Sequence, residues 1–294
     1  MRMDNLKKRS RMLRSLREFF YAHDFFEAET EVRIPAPAPE EYIEAVSAEG
    51  GFLRTSPELA LKGLLAAGGE RFFELGRAFR SGEYGRKHRE EFTILEYYAA
   101  GWDYRKLADF TAGLFAAAAR GVGGSERVAF RGMELDLSRV EYITVDEAYC
   151  KYAGVSAFEA DERGDFDELM VTKVEPELGR RGITFLIDYP ANRASLSRLS
   201  AADPRVAERW EVYIAGIELG NAFGELVDAS EQKRRFAAAY KFRAEHGMKP
   251  YPEPTAFYDA LERGIPEASG CAVGVDRLAM ILCDASDIGE VRWE

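Results

Sequence analysis

Two β-rich runs, Arg71-Phe72-Phe73-Glu74-Leu75-Gly76-Arg77-Ala78-Phe79 and Glu91-Phe92-Thr93-Ile94-Leu95-Glu96-Tyr97-Tyr98, flank a loop dense in glycine, arginine and glutamate. Strands joined in this way are expected to pair antiparallel. Side chains alternate along a strand, so Phe92, Ile94, Glu96 and Tyr98 share one face, and Thr93, Leu95 and Tyr97 the other. An aromatic ring, a carboxylate and a phenol in a row suit the floor of a pocket. The same pattern suits a mixed strand in which Glu96 pairs with a structural arginine.

From Phe52 the pattern changes to short strands; further strands are expected over 184–188, 210–219 and 271–275, and helices over 5–24, 103–121, a stretch ending near His246, and 276–282. The prolines of 34–39 demand extended backbone. Residues 144–182 read as a helical excursion on the solvent side, rich in charge and poor in core. Strands and helices do not alternate regularly, which predicts an α+β fold with a mostly antiparallel sheet. No repeat or second domain is visible, so 1–294 is expected to be a single domain.

The net charge of -11 and pI near 5.1 argue against nucleic-acid binding by the surface as a whole. Cys150, Cys271 and Cys283 show no CxxC spacing, and only His23, His88 and His246 accompany them, which argues against a zinc site. Irregular cysteines fit a reduced compartment. The N-terminal stretch leads into a charged helix, and no apolar run reaches about 18 residues. A soluble cytoplasmic protein without a membrane span is expected.

Three blocks carry chemistry. Arg80 closes a strand, and Glu83, Arg86, His88 and Arg89 follow in one loop; arginines there suit a triphosphate, or equally a charged surface hairpin. Glu211 and Glu218 bracket the apolar run 212–217, as if ending one core strand. Paired carboxylates are hard oxygen ligands for magnesium, with salt bridges as the alternative. Asn221 and Glu225, four apart, align if the chain turns helical. Gly270, Ala272 and Gly274 clear one strand face for a ligand or for close packing, and Arg277 opens a helix where anions are favoured. No P-loop and no GxGxxG follows a strand.

With Phe25-Phe26-Glu27-Ala28-Glu29-Thr30, Thr55-Ser56-Pro57-Glu58-Leu59, Glu218-Leu219-Gly220-Asn221-Ala222-Phe223-Gly224-Glu225-Leu226 and Gly274-Val275-Asp276-Arg277 in place, the chain resembles class II aminoacyl-tRNA synthetases of the lysyl branch. It looks closest to the stand-alone paralogues that attach (R)-β-lysine to elongation factor P. The resemblance implies that Arg80 holds the α-phosphate and substrate carboxylate. Phe92 would stack on adenine, with Arg277 on its other face near the γ-phosphate. Glu83, His88, Arg89, Leu219 and Gly274 would complete the ATP site, and Glu211 and Glu218 would bind Mg2+. Ser56, Glu58 and Glu96 would surround the substrate amino group and Asn221 its carboxylate, while Tyr98 and Glu225 would read the ε-ammonium.

Two features favour the paralogue. The segment before Glu27 has room for one helix and not for an anticodon-binding domain, and Ala272 stands where lysyl-tRNA synthetases carry glycine. The chain also departs from the pattern. Gly82 occupies the glutamate position of motif 2, with Glu83 one later; Arg89 replaces an asparagine, and Glu31 a proline. The resemblance implies an AMP-forming ligase acting on β-lysine or lysine, with elongation factor P as acceptor in preference to tRNA, and a homodimer. The alternatives are a minimal lysyl-adenylating enzyme with another acceptor and a non-catalytic regulator.

Overall fold

The computed structural model describes residues 2–293. One eight-stranded sheet organises the chain: β1 (Phe26–Glu27), β2 (Arg71–Phe79), β3 (Glu91–Ala100), β4 (Val140–Thr144), β5 (Ile183–Pro190), β6 (Val206–Ile214), β7 (Ile217–Gly224) and β8 (Ala268–Gly274). Its spatial order is β1-β2-β3-β8-β7-β6-β5-β4. Only the outermost pairs, β1/β2 and β4/β5, are parallel. The α+β class with a mostly antiparallel sheet is what the strand pattern predicts, and β2 and β3 pair as expected across the charged loop.

The helices of seven residues or more are α1 (Arg2–Ala22), α2 (Glu58–Ala66), α3 (Tyr104–Gly123), α4 (Val145–Tyr152), α5 (Ala157–Arg163), α6 (Ala229–Glu245), α7 (Thr255–Arg263) and α8 (Val275–Cys283). Asp103 caps α3 by accepting from Lys106 N, and Gly124 ends it in the left-handed region (φ 74°). Asp228 starts α6 in the same way. Both sheet faces are covered. Met12, Leu16 and Phe20 of α1, Leu107, Leu114 and Phe115 of α3, and the apolar side of α8 bury Phe73, Leu95, Tyr97, Val212 and Val273. Leu61 and Leu65 of α2, Phe236 of α6 and Phe257 and Leu261 of α7 pack with Phe72 and Tyr98 on the opposite face.

Three expectations need correction. Residues 58–66 form α2, a helix, within a stretch that reads as short strands. The run 210–219 is not one strand: the backbone reverses at Ala215 and Gly216, both at positive φ (53° and 69°), to join β6 and β7 as a hairpin. Asn221 and Glu225 align without a helix. Asn221 lies in β7 and Glu225 just past it, and residues four apart share a face along extended chain. Finally, 144–182 is not poor in core. Val145, Ala148, Tyr149, Ala157, Phe166, Val174 and Leu178 bury one another against Leu186, Tyr189 and Tyr213.

Candidate active site

Strand register builds the site. Across β2, β3, β8, β7 and β6, the residues Glu74, Glu96, Ala272, Asn221 and Glu211 stand side by side in one row. In the next row of the same face, Tyr98 pairs with Gly270 and Gly270 with Phe223; two residues the other way, Ile94 pairs with Gly274. The small residues of β8 therefore leave a trough between the long side chains of β3 and β7. α2 and the loops around Glu40 and His88 wall it into a cavity of about 230 Å³. Of the sequence-predicted site residues, Glu211 and the loop residue Arg86 do not line it, whereas Ser56, Glu58, Arg80, Glu83, His88, Arg89, Phe92, Glu96, Tyr98, Glu218, Leu219, Asn221, Glu225, Ala272, Gly274 and Arg277 do.

One end is acidic. The Tyr98 hydroxyl donates to Glu96 Oε1 at 2.7 Å and the Ser56 hydroxyl to Oε2 at 2.9 Å. Ser56 Oγ also accepts from Glu58 N at 2.9 Å, the start of α2. Burial pushes Glu96 up to about 8, Glu58 adds repulsion, and Tyr98, Ser56 and Lys62 pull the other way. Burial also pushes Glu225 up to about 7, against the pull of Lys62. Lys62 is fully buried, its Nζ 2.6 Å from Glu58 Oε1 and 2.7 Å from Glu225 Oε2. Beyond this ion pair, neither Glu225 oxygen accepts a well-directed hydrogen bond among the described residues. A buried carboxylate this short of donors suits an ammonium group.

The other end is cationic and aromatic. The Arg80 guanidinium lies 5.0 Å from the Phe92 ring centre, and Glu83 approaches Arg80 to 3.8 Å. Arg277 Nη1 donates to Glu218 O at 2.8 Å and reaches Glu218 Oε2 at 3.3 Å, while Nη2 donates to His88 Nε2 at 2.6 Å. Burial and the nearby charges of Arg277, Lys87 and Arg80 lower His88 to about 4, so at neutral pH its ring is an uncharged acceptor. Two guanidiniums beside an open aromatic ring suit a planar base bearing phosphates.

Two expected residues are placed differently. Glu211 lies outside the cavity wall, with Oε1 taken by Arg209 Nη2 (2.7 Å) and Oε2 by the Tyr213 hydroxyl (2.6 Å). Arg209 Nε also donates to Asn221 Oδ1 at 3.1 Å. Arg89 lines the cavity but directs its donors to Gly85 O (2.6 Å), His88 O (2.9 Å) and Asp287 Oδ1 (3.2 Å), holding the loop's shape. Ala272 and Gly274 fall where the alternation of small residues puts them.

Sequence reasoning missed four residues. Lys62 is legible as the i+4 partner of Glu58 once α2 is recognised. Arg209 is two residues before Glu211 and shares its face. Glu40 lies on the proline-bounded loop, where burial and the acids Glu58 and Glu83 push it up to about 7 while Arg80 and Arg243 lower it. Glu175 is raised by burial and by Glu211 and Glu218, and no local pattern announces it. Among the described residues, no three His, Cys, Asp or Glu side chains converge as a metal site.

Comparison with known proteins agrees with this geometry. The family model for class II tRNA synthetases (D, K and N) matches residues 1–293. The elongation factor P–(R)-β-lysine ligase of Yersinia enterocolitica is 36% identical over 98% of this chain and 93% of its own length. That of Vibrio cholerae is 36% identical over 98% and 94%. The lysine–tRNA ligase of Methylobacillus flagellatus is also 36% identical, but this chain spans 61% of it. The chain belongs to the class II tRNA synthetase family of the aspartyl, lysyl and asparaginyl group.

Proposed function

We propose that the protein activates (R)-β-lysine, or lysine, with ATP and transfers it to a lysine side chain of elongation factor P. The observation that carries this reading is one cavity with an acid-lined end for two ammonium groups and an arginine-and-phenylalanine end for a nucleotide. The names and near-full-length coverage of the relatives support it.

In this reading a carboxylate oxygen of the amino acid attacks the α-phosphorus of ATP, and pyrophosphate leaves. Arg80 meets the carboxylate and α-phosphate, and Arg277, braced by Glu218 and His88, meets the distal phosphates. Phe92 takes the adenine face. Glu83, Arg89, Leu219 and Gly274 shape the nucleotide's surroundings. Glu58, Glu96, Tyr98 and Glu225 hold the ammonium groups, with Ser56 orienting Glu96. Asn221 lies toward the carboxylate, and Ala272 trims the space around the amine. The acceptor's neutral lysine amine then attacks the adenylate carbonyl; AMP leaves, the nitrogen loses a proton, and an amide forms. The barrier falls through positioning and preorganised charge.

The acids fit a magnesium ion. Burial raises Glu211 and Glu175, and the charge of Glu218 adds to both. Glu218 would hold the ion from the cavity wall and Glu211 would join it by giving up its Arg209 or Tyr213 bond, with phosphate oxygens as further ligands, the usual arrangement for this metal. Bound there, it would offset phosphate charge.

A homodimer is part of the proposal. β1 pairs on one side only, with β2, and Tyr21, Phe26 and Val32 are exposed beside that open edge. No helix of the described residues is long and apolar enough to cross a membrane, and the cysteines are free, which supports a cytoplasmic setting. The acidic balance supports a protein acceptor over tRNA.

The test is amino-acid-dependent ATP–pyrophosphate exchange with (R)-β-lysine and L-lysine, followed by transfer to purified elongation factor P or lysine tRNA. Exchange favouring β-lysine and labelled elongation factor P are expected. Exchange with labelled tRNA alone would replace the acceptor, and absence of exchange would remove the catalytic reading.

A further inference from the structure

We propose that Lys62 is a positioning residue for the amino-acid end of the cavity. Its ammonium, held beneath the floor between Glu58 and Glu225, pairs with both carboxylates and aims them, and matches the pocket's charge to a substrate with two ammonium groups. The inference rests on the proposed adenylation of a diamino acid.

Lys62 follows Glu58 by one turn of α2 and does not line the cavity, whereas Glu58 and Glu225 do. Its side chain is 1% exposed, against 16% for Glu58 and 2% for Glu225. Lysines are almost never buried to this degree unless paired. Burial works against its charge, but Glu225 and Glu58 together outweigh that and hold the ammonium well above the ordinary lysine range.

Three carboxylates, Glu58, Glu96 and Glu225, face the same end. Their mutual repulsion disfavours the charged forms, and a resident cation offsets part of it. Once a ligand's ammonium groups draw the remaining protons off Glu96 and Glu225, one resident ammonium against three carboxylates leaves two negative charges for the ligand, whose own carboxylate goes to Arg80. An amino acid with one ammonium would leave a buried acid unpaired. The other groups facing this cluster are Ser56 before α2, Tyr98 on β3, Glu40 on its loop and Arg198 ahead of β6. Arg198 is already paired with Glu208 at 2.7 Å, and Tyr98 donates to Glu96. Lys62 is therefore the cation in contact with both Glu58 and Glu225.

The test compares wild type with Lys62→Met by carboxylate 13C NMR of glutamate-labelled protein across pH, assigned with Glu58→Gln and Glu225→Gln, and by exchange kinetics. In Lys62→Met the Glu58 and Glu225 midpoints are expected to rise by about one unit or more. The KM for the diamino acid should rise about tenfold or more at pH 7 and partly recover toward pH 9, with the KM for ATP unchanged. Unmoved midpoints would overturn the proposal. So would a loss equal at every pH and shared by ATP, which marks a merely structural role. If Lys62→Met does not fold, the Lys62→Met/Glu225→Gln double variant, with one fewer unpaired acid, carries the test through Glu58. Its midpoint must then exceed that in Glu225→Gln alone. Absence of exchange in the wild type would overturn the proposed function, and the carboxylate titration would still decide the role of Lys62.

Discussion

A methyl group at Gly270 would collide with the Tyr98 ring and with Glu225 Oε1, the two groups assigned to the substrate's distal ammonium. Neither can retreat: Tyr98 is stacked on Phe72 with ring centres 5.7 Å apart, and Glu225 is paired to Lys62. Gly270→Ala should therefore raise the KM for the amino acid about tenfold or more while leaving that for ATP near wild type, as read by exchange kinetics. Equal losses for both substrates would argue against this placement. The glycine itself was visible in the sequence, because small residues at 270, 272 and 274 alternate along a strand. Its neighbours were not, since they come from β3 and from beyond β7, far apart in the chain. The buried Asp276 shows the same limit. Its carboxylate accepts from Thr93 N at 2.9 Å and pairs with Arg9 at 2.5 Å, tying α8 to β3 and α1 through partners that no local pattern reveals.

Among the elements, the β6–β7 hairpin and α2 are two that the sequence pattern hides. The run from Val212 to Ile217 is apolar throughout, so hydrophobicity alone reads it as one strand; only Gly216 marks the turn. Ala215 carries a side chain at positive φ, a conformation that disfavours L-residues by roughly 1–2 kcal/mol. Ala215→Gly is expected to relieve part of this, raising stability by about 0.5 kcal/mol after the added freedom of the unfolded chain, a gain that urea titration would detect. A loss would show that packing of the Ala215 methyl matters more. α2 escaped notice because Leu59, Leu61, Leu64 and Leu65 are interrupted by Lys62, which turns inward with them. A lysine at a core position reads as a surface marker until its two acidic partners are seen. β2, β3 and α3, by contrast, carry regular periodicity or end signals and were legible nearly to their bounds.

Over the whole molecule, the cavity's acids oppose the stability of the ligand-free fold. Glu96, Glu225 and Glu40 sit near 8, 7 and 7 when folded, against an ordinary value of 4.5. Between those limits the folded state binds more protons than the unfolded one, so their contribution to stability falls as pH rises. His88 has the opposite sign: it is lowered from 6.5 to about 4, so its contribution rises with pH across that interval and is complete above it. The carboxylates therefore dominate from about pH 6.5 to 8, where the melting temperature of the ligand-free protein should decline more steeply than that of a Glu96→Gln/Glu225→Gln variant. Diammonium ligands should flatten the slope and release protons on binding, which calorimetry in buffers of different ionisation heat would measure. A slope unaffected by the double substitution would show that these carboxylates are already ionised.

The order of the sheet has a consequence for biosynthesis. β8 is the last of its strands in the chain, yet it lies fourth in space, between β3 and β7. Until residues 268–274 leave the ribosome, the earlier strands can form at most two half-sheets, each with an unsatisfied edge where the central strand belongs. Final closure is thus a late, long-range event in the life of the nascent chain, and an unfinished copy offers two ready edges to other strands. The trough that holds the ligand comes into being in that same last step.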